Sequence, residues 1–189
     1  FLFFGLIVLT ANAEHDFSRW EENIQKFEEH DKSSPPPENG ILFIGSSSIR
    51  LWNVEQYFPE LPVFNRGFGG SEIVDSIHFA PRILLPYKPR TVLFYAGDND
   101  IDRGKTAQEV FEDYKTFADL IKAHLPETRL LYICIKPSLA RWGLVEEMRK
   151  ANQMIEEYAA REEKQIYIDI DTPMIGPDGK PRPELFRED

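Results

Sequence analysis

A chain of 189 residues is long enough to bury one sizeable core and short for two domains. Its composition, 42% apolar and 29% charged, is that of a globular protein and excludes a disordered or fibrous chain. The formal net charge of -10 at pH 7, unrelieved by any local cluster of Lys and Arg, repels phosphate backbones. Nucleic acid is therefore not an expected partner, and a neutral substrate is easier to accept.

The chain opens on "FLFFGLIVLTANAEHD", an apolar run closed by Ala11-Asn12-Ala13 and then polar sequence. That order matches the back part of a secretory signal peptide with a small-x-small cleavage site. Residues 1–13 are expected to be its remnant, in a sequence that starts inside a longer gene product. The run falls short of the roughly 20 apolar residues a membrane span needs, so no stable membrane anchor is expected after cleavage. The expected location is secreted or periplasmic.

From Glu14 to Lys32 the chain is charged, with Trp20, Ile24 and Phe27 spaced for one helical face. "SSPPPENG" then ends that helix as a linker, so that residues 14–40 form an N-terminal helix and proline-rich connection. The remainder, residues 41–189, is expected to be a single domain. Apolar runs of strand length fall at Ile41–Ile44, Pro62–Phe64, Thr91–Ala96, Leu130–Ile135 and Gln165–Ile170. Between them lie longer amphipathic segments, notably Thr106–Leu125 and Leu144–Glu163. Strands apolar at nearly every position are those buried on both faces, and alternation with helices implies parallel crossovers. The predicted class is α/β, a five-stranded parallel sheet between two helical layers. The single cysteine, Cys134, lies in the apolar run "LLYICI" and is expected to be a buried structural thiol.

In open sheets of this kind, ligands bind outside the carboxyl ends of the strands. Strand one ends in Gly45-Ser46-Ser47-Ser48, strand two in "NRGFGGS" and strand three in "AGDND". Each end combines glycine with small polar residues, the composition of loops that bring backbone N–H groups to a ligand. At the first, Ser46 or Ser47 can cap the following helix or act as a nucleophile, and the two roles are compatible. "GSSSIR" lacks the Lys-Ser/Thr ending of a phosphate loop, and Ile49 occupies the last glycine of a G-x-S-x-G elbow. At the second, "GFGGSE" departs from a dinucleotide fingerprint at Glu72, which leaves Gly70 as a turn residue or as an unobstructed backbone donor. At the third, Asp98, Asp100, Asp102 and Glu109 match four positions of a calcium loop, but Arg103 stands where that loop needs glycine. The rival role at this end is a neutral amide donor supplied by Asn99.

Together the three ends resemble the SGNH hydrolases, the GDSL-type esterase and lipase superfamily. "FIGSSS" is similar to the family's first block, with Ser46 in place of the aspartate and Ser47 at the nucleophile. "FGGS" is similar to the second block, whose glycine falls on Gly70, and "GDND" to the third, whose asparagine falls on Asn99. The resemblance implies a flavodoxin-like three-layer α/β/α fold, and an oxyanion hole formed by the N–H groups of Ser47 and Gly70 with the Asn99 amide. In the fourth block, Asp-x-x-His, it implies Asp189 as the triad acid and a histidine beyond the last residue. His78, His124, His15 and His30 are not placed to serve as the base, and Asp169 and Asp171 are expected to be strand-end turn residues. Lacking that histidine, the 189-residue chain is expected to show negligible esterase activity.

The implied activity is serine esterase chemistry on small acyl esters, acetyl groups on carbohydrates among them, without metal or organic cofactor. Arg141 and Trp142, in the loop after strand four, are expected to line the site; Trp142 either stacks on a sugar face or anchors the next helix. The alternative is a relative that binds a ligand or anion without turning it over.

Overall fold

The computed structural model describes residues 15–186. The signal-like segment of residues 1–13 and Asp189 lie outside the described residues. Five short runs rich in Ile, Leu, Val, Phe and Tyr pair into one parallel sheet: β1 (Ile41–Gly45), β2 (Val63–Gly67), β3 (Thr91–Tyr95), β4 (Arg129–Ile133) and β5 (Gln165–Ile168). Their order is β2-β1-β3-β4-β5, so the chain crosses over β1 once and reverses its direction of growth between β1 and β3. This is the doubly wound order with its switch point at β1 and β3, the place where such sheets bind ligands.

One helix precedes β1, α1 (Glu21–Ser33), and two short ones separate β1 from β2, α2 (Ser47–Arg50) and α3 (Val54–Tyr57). Further along come α4 (Ile73–Ile83), α5 (Asp98–Asp102), α6 (Ala107–His124), α7 (Val145–Ala159) and α8 (Asp171–Met174). Local chemistry fixes the starts of two of them. Thr106 and Glu109 form a reciprocal capping box on α6, and Glu72 and Asp75 form one on α4. No helix among the described residues is long and apolar enough to cross a membrane.

Alternate strand residues point to opposite faces. Leu42, Ile44, Val92, Phe94, Leu130 and Tyr132 join the larger core, closed by Ile24 of α1, Phe79 of α4, Phe117 of α6 and Ile155 of α7. Phe43, Tyr95 and Ile133 face the other way into a smaller cluster, where only Ile49 of α2 and Val54 of α3 are buried helical partners. The two helical layers are therefore unequal among the described residues. Phe43, Leu93, Leu131 and Ile166 form a continuous row across the second face, and its outer end, Ile166 on β5, is 45% exposed. Burial on both faces, expected of all five strands, fails at β5, although β2, the other edge strand, keeps it; the buried helical residues on the second face, Ile49 and Val54, come from the helices beside β1 and β2.

Candidate active site

The site begins where β1 stops. Gly45 has φ +135°, and a Cβ there would lie 1.9 Å from the Tyr95 carbonyl oxygen, so only glycine lets β1 and β3 run this close. Beyond it, the Ser46 N–H donates to that same carbonyl at 2.9 Å, and the Phe68 N–H donates to the Gly45 carbonyl at 2.9 Å. Ser46 is fully buried and holds the N-cap position of α2, but its hydroxyl makes no cap bond and faces Asp98 Oδ1 at 3.4 Å instead. Ser47, the first residue of α2, is half-buried and opens on a cavity of about 550 Å³. Ser48, Trp52, Tyr57, Lys136, Leu185 and Phe186 share the lining. Placement separates the serines: Ser46 is buried in the protein, whereas Ser47 lines the cavity.

The second and third strand ends meet behind this serine pair. Gly70 has φ +76°, its carbonyl accepts from Arg103 Nη2 at 2.9 Å, and its N–H has no acceptor among the described residues. Asn99 is buried at the start of α5, after Gly97, whose φ of +116° makes the turn out of β3. Its Nδ2 donates to the Ser71 carbonyl at 2.9 Å, which ties the loop after β3 to the loop carrying Gly70. One amide hydrogen is left on Nδ2. The Ser46–Asp98 contact ties the same short helix to the end of β1, so the structure brings Ser46, Ser71 and Asn99 into one bonded group.

The acidic residues of "GDNDID" are each matched to a cation. Asp98 and Asp102 accept from Arg141 at 3.1 and 2.9 Å, and Asp100 pairs with Lys105 at 3.0 Å. Glu109, the fourth residue of the calcium-like pattern, is in the α6 capping box. Burial pushes the Asp100 carboxyl up to about 6, against the pull of Lys105 and the Ile73 N–H. Glu72 is also buried, and Lys105 and Arg103 outweigh that burial to hold its carboxyl below the usual range.

Arg141 and Trp142 were both expected to line the site, and neither is among the residues around the Ser47 cavity. Arg141 reaches inward to Asp98, Asn99 and Asp102. Trp142 opens the turn Trp142–Leu144 before α7 and has Arg149 over its ring at 5.8 Å. The histidines are elsewhere: His15 bonds Asp75 at 2.8 Å, His78 stacks on Phe17, and His124 closes α6. Asp169 accepts from the Thr172 N–H at 3.2 Å and Asp171 pairs with Arg149, the turn roles expected of them. Cys134 is buried, and burial raises its thiol. Lys136, Trp52, Tyr57, Leu185 and Phe186 were not anticipated. Lys136 alone carried a signal, since it directly follows "ICI" at the end of the fourth strand run.

The profile of the GDSL-like lipase/acylhydrolase family matches residues 51–189, most of the chain, starting just past Ser47. The chain belongs to this family. Hydrolysis of an acyl ester is accordingly its function at the coarse level. Solved structures of GDSL-like proteins share the fold. A GDSL-like lipase from Bacteroides thetaiotaomicron superposes with a TM-score of 0.73 at 18% identity, over 92% of this chain and 88% of that one. A member of the lipolytic G-D-S-L family from Veillonella parvula gives 0.59 at 19% identity, over 75% and 88% of the two chains. An acetylxylan esterase from Geobacillus stearothermophilus gives 0.54 at 15% identity, over 71% and 78%. No curated protein sequence matches the chain.

Proposed function

We propose that this GDSL-family chain is a serine esterase acting through an acyl-enzyme on Ser47. The observation that carries the proposal is Ser47 itself, half-buried at the carboxyl end of β1 and open to a cavity that Leu185 and Phe186 also line. The C-terminal segment thus runs to the nucleophile, which supports Asp189, three residues on from Phe186, as the acid, with the base in the histidine that Asp-x-x-His calls for beyond it.

In the forward step the Ser47 hydroxyl loses its proton to that histidine while Oγ attacks the ester carbonyl. The oxyanion is held by the N–H groups of Ser47 and Gly70 and by the remaining Asn99 amide hydrogen. Collapse expels the alcohol, which takes the proton back from the histidine. Water, deprotonated by the same base, then attacks the acyl-enzyme and releases the acid and free Ser47. None of these steps calls on a cofactor.

The substrate side of the proposal is a small acyl ester, acetyl above all, on a carbohydrate. Trp52 and Tyr57 support it, because both line the Ser47 cavity and aromatic faces suit sugar rings. The likeness in fold to an acetylxylan esterase agrees with it. Export to a secreted or periplasmic location, after cleavage following Ala13, completes the reading and rests on the apolar run before "ANA". N-terminal sequencing of the mature protein should begin at Glu14.

The test is turnover by the full-length gene product of acetylated oligosaccharides and of p-nitrophenyl esters of increasing chain length. Acetyl esters are expected to be cleaved fastest, and Ser47→Ala to lose at least ~10³-fold in kcat. Retention of activity in S47A would overturn the nucleophile, turnover of long-chain esters alone would overturn the substrate, and tight binding without turnover would replace the enzyme by a binding protein.

A further inference from the structure

Arg141 lies 39 to 43 residues from Asp98, Asn99 and Asp102 in sequence, yet its guanidinium bonds all of them. Nη1 donates to Asp98 Oδ2 at 3.1 Å, and Nη2 donates to Asn99 Oδ1 at 3.0 Å and to Asp102 Oδ2 at 2.9 Å. We infer that Arg141 is a positioning residue that sets the Asn99 carboxamide as an oxyanion donor. This inference rests on the proposed role of Asn99.

The argument is one of donors and acceptors. A guanidinium only donates, so the atom of Asn99 facing Arg141 must be the carbonyl oxygen. Ser71 offers a carbonyl, which only accepts, so the atom facing it must be the nitrogen. The two contacts together leave a single orientation of the amide plane, with one Nδ2 hydrogen on Ser71 and the other unassigned among the described residues. Remove Arg141 and one tether remains, about which the amide can swing. An oxyanion donor acts by being in place before charge develops, so a swinging amide loses rate rather than substrate affinity.

Charge adds to this. Asp98 and Asp102 lie one residue before and three after Asn99 in the same short helix, and both carboxylates would oppose a negative charge forming beside it. Arg141 is the cation they share. It therefore shields the hole from its own neighbours as well as orienting its donor.

The experiment is a double-mutant cycle on p-nitrophenyl acetate with the full-length gene product: wild type, Arg141→Met, Asn99→Ala and the pair, with melting curves for each. Arg141→Met is expected to lower kcat by roughly ten- to a hundredfold with KM within about twofold, and to cost less than about threefold when Asn99 is already alanine. Arg141→Lys, which keeps the charge but not the planar fork, is expected to fall between wild type and R141M. Should R141M fail to fold, Asp102→Asn serves, since Asp102 is the more exposed anchor; a few-fold kcat loss present in wild type and absent in N99A is expected. A rise in KM at constant kcat would make Arg141 a substrate-lining residue and overturn the inference. An equal loss in both backgrounds would overturn it too. Failure of the esterase reading is distinct, because S47A would then be as active as wild type.

Discussion

The two sides of the proposed site are built differently. On the side of the proposed oxyanion donor Asn99, Ser46, Ser71 and Asn99 are buried, and contacts from Ser46 to Asp98, Asn99 to Ser71 and Arg141 to Asn99 bind the ends of the strands together. On the C-terminal side, the turn Pro183–Leu185 leaves Leu185 46% exposed. That turn is tied back through the Arg182 N–H, which donates to the Met174 carbonyl of α8 at 2.9 Å. The proposed side-chain donor, Asn99, is set in the core, and the segment proposed to bring acid and base is fastened to the surface.

The largest expected effect tests the rigid side. Gly45→Ala places a Cβ 1.9 Å from the Tyr95 carbonyl oxygen at a φ of +135°, in the strand that pairs with both β2 and β3. Neither backbone can retreat without breaking the ladder. A loss of at least about 4 kcal/mol is expected, seen as an unfolded or aggregated product in circular dichroism melts. A G45A protein melting with wild type would show that the strand end yields, and the contrast between the two sides would fail.

Next comes the donor itself. Asn99→Ala is expected to lower kcat by about 10²–10³-fold while KM stays within about threefold, the pattern of a contact made only in the transition state. Its melting temperature should fall by less than about 5 °C, since the bonds to Ser71 and from Arg141 are lost while Arg141 keeps both of its carboxylates. A KM effect without a kcat effect would move Asn99 from the oxyanion hole to the substrate.

These residues were legible in sequence because they sit in short contiguous runs at strand ends. "GSSS", "FGGS" and "GDND" each keep glycine within two residues of the proposed functional group, and the rule that ligands bind beyond the carboxyl ends of strands brings the runs together. The role of Arg141 was not legible: its partners are some forty residues away, and no periodicity links a loop after β4 to a helix after β3. Nor was the exposure of β5 visible, because Ile166 and Ile168 are as apolar as any buried strand and only the packing of helices on each face separates β5 from the equally peripheral but buried β2. Local chemistry writes elements and caps into the sequence. Pairings across the sheet depend on where the chain returns.

Asp100 tests whether the rigid side carries an electrostatic cost. Its carboxyl is pushed up to about 6 from the usual 3.8, first by burial, so between about pH 4 and 6 the folded state keeps a proton that the unfolded state releases. Stability is therefore greatest below pH 4 for this group and declines as pH rises to 6. Asp100→Asn removes the titration and can still accept from the Ile73 N–H. The variant is expected to match wild type at pH 4 and to exceed it above pH 6 by at most about 3 kcal/mol, from the size of the shift. Urea midpoints at the two pH values check it; a gap independent of pH would mean that Asp100 is not the group being neutralised.

The smallest effect belongs to the other side of the site. Leu185→Ala trims a half-exposed side chain that lines the same cavity as Ser47. Stability should change by no more than about 0.5 kcal/mol, as for most surface positions. Binding has more to lose, because an ester seated in the cavity would cover the apolar surface that Leu185 presents, and each lost methylene contact is worth up to about 0.8 kcal/mol. KM is accordingly expected to rise about two- to fivefold, with kcat changed less than twofold. If L185A instead lowered the melting temperature as far as a core truncation does, the C-terminal turn would be part of the folded scaffold, and both sides of the site would be equally fixed.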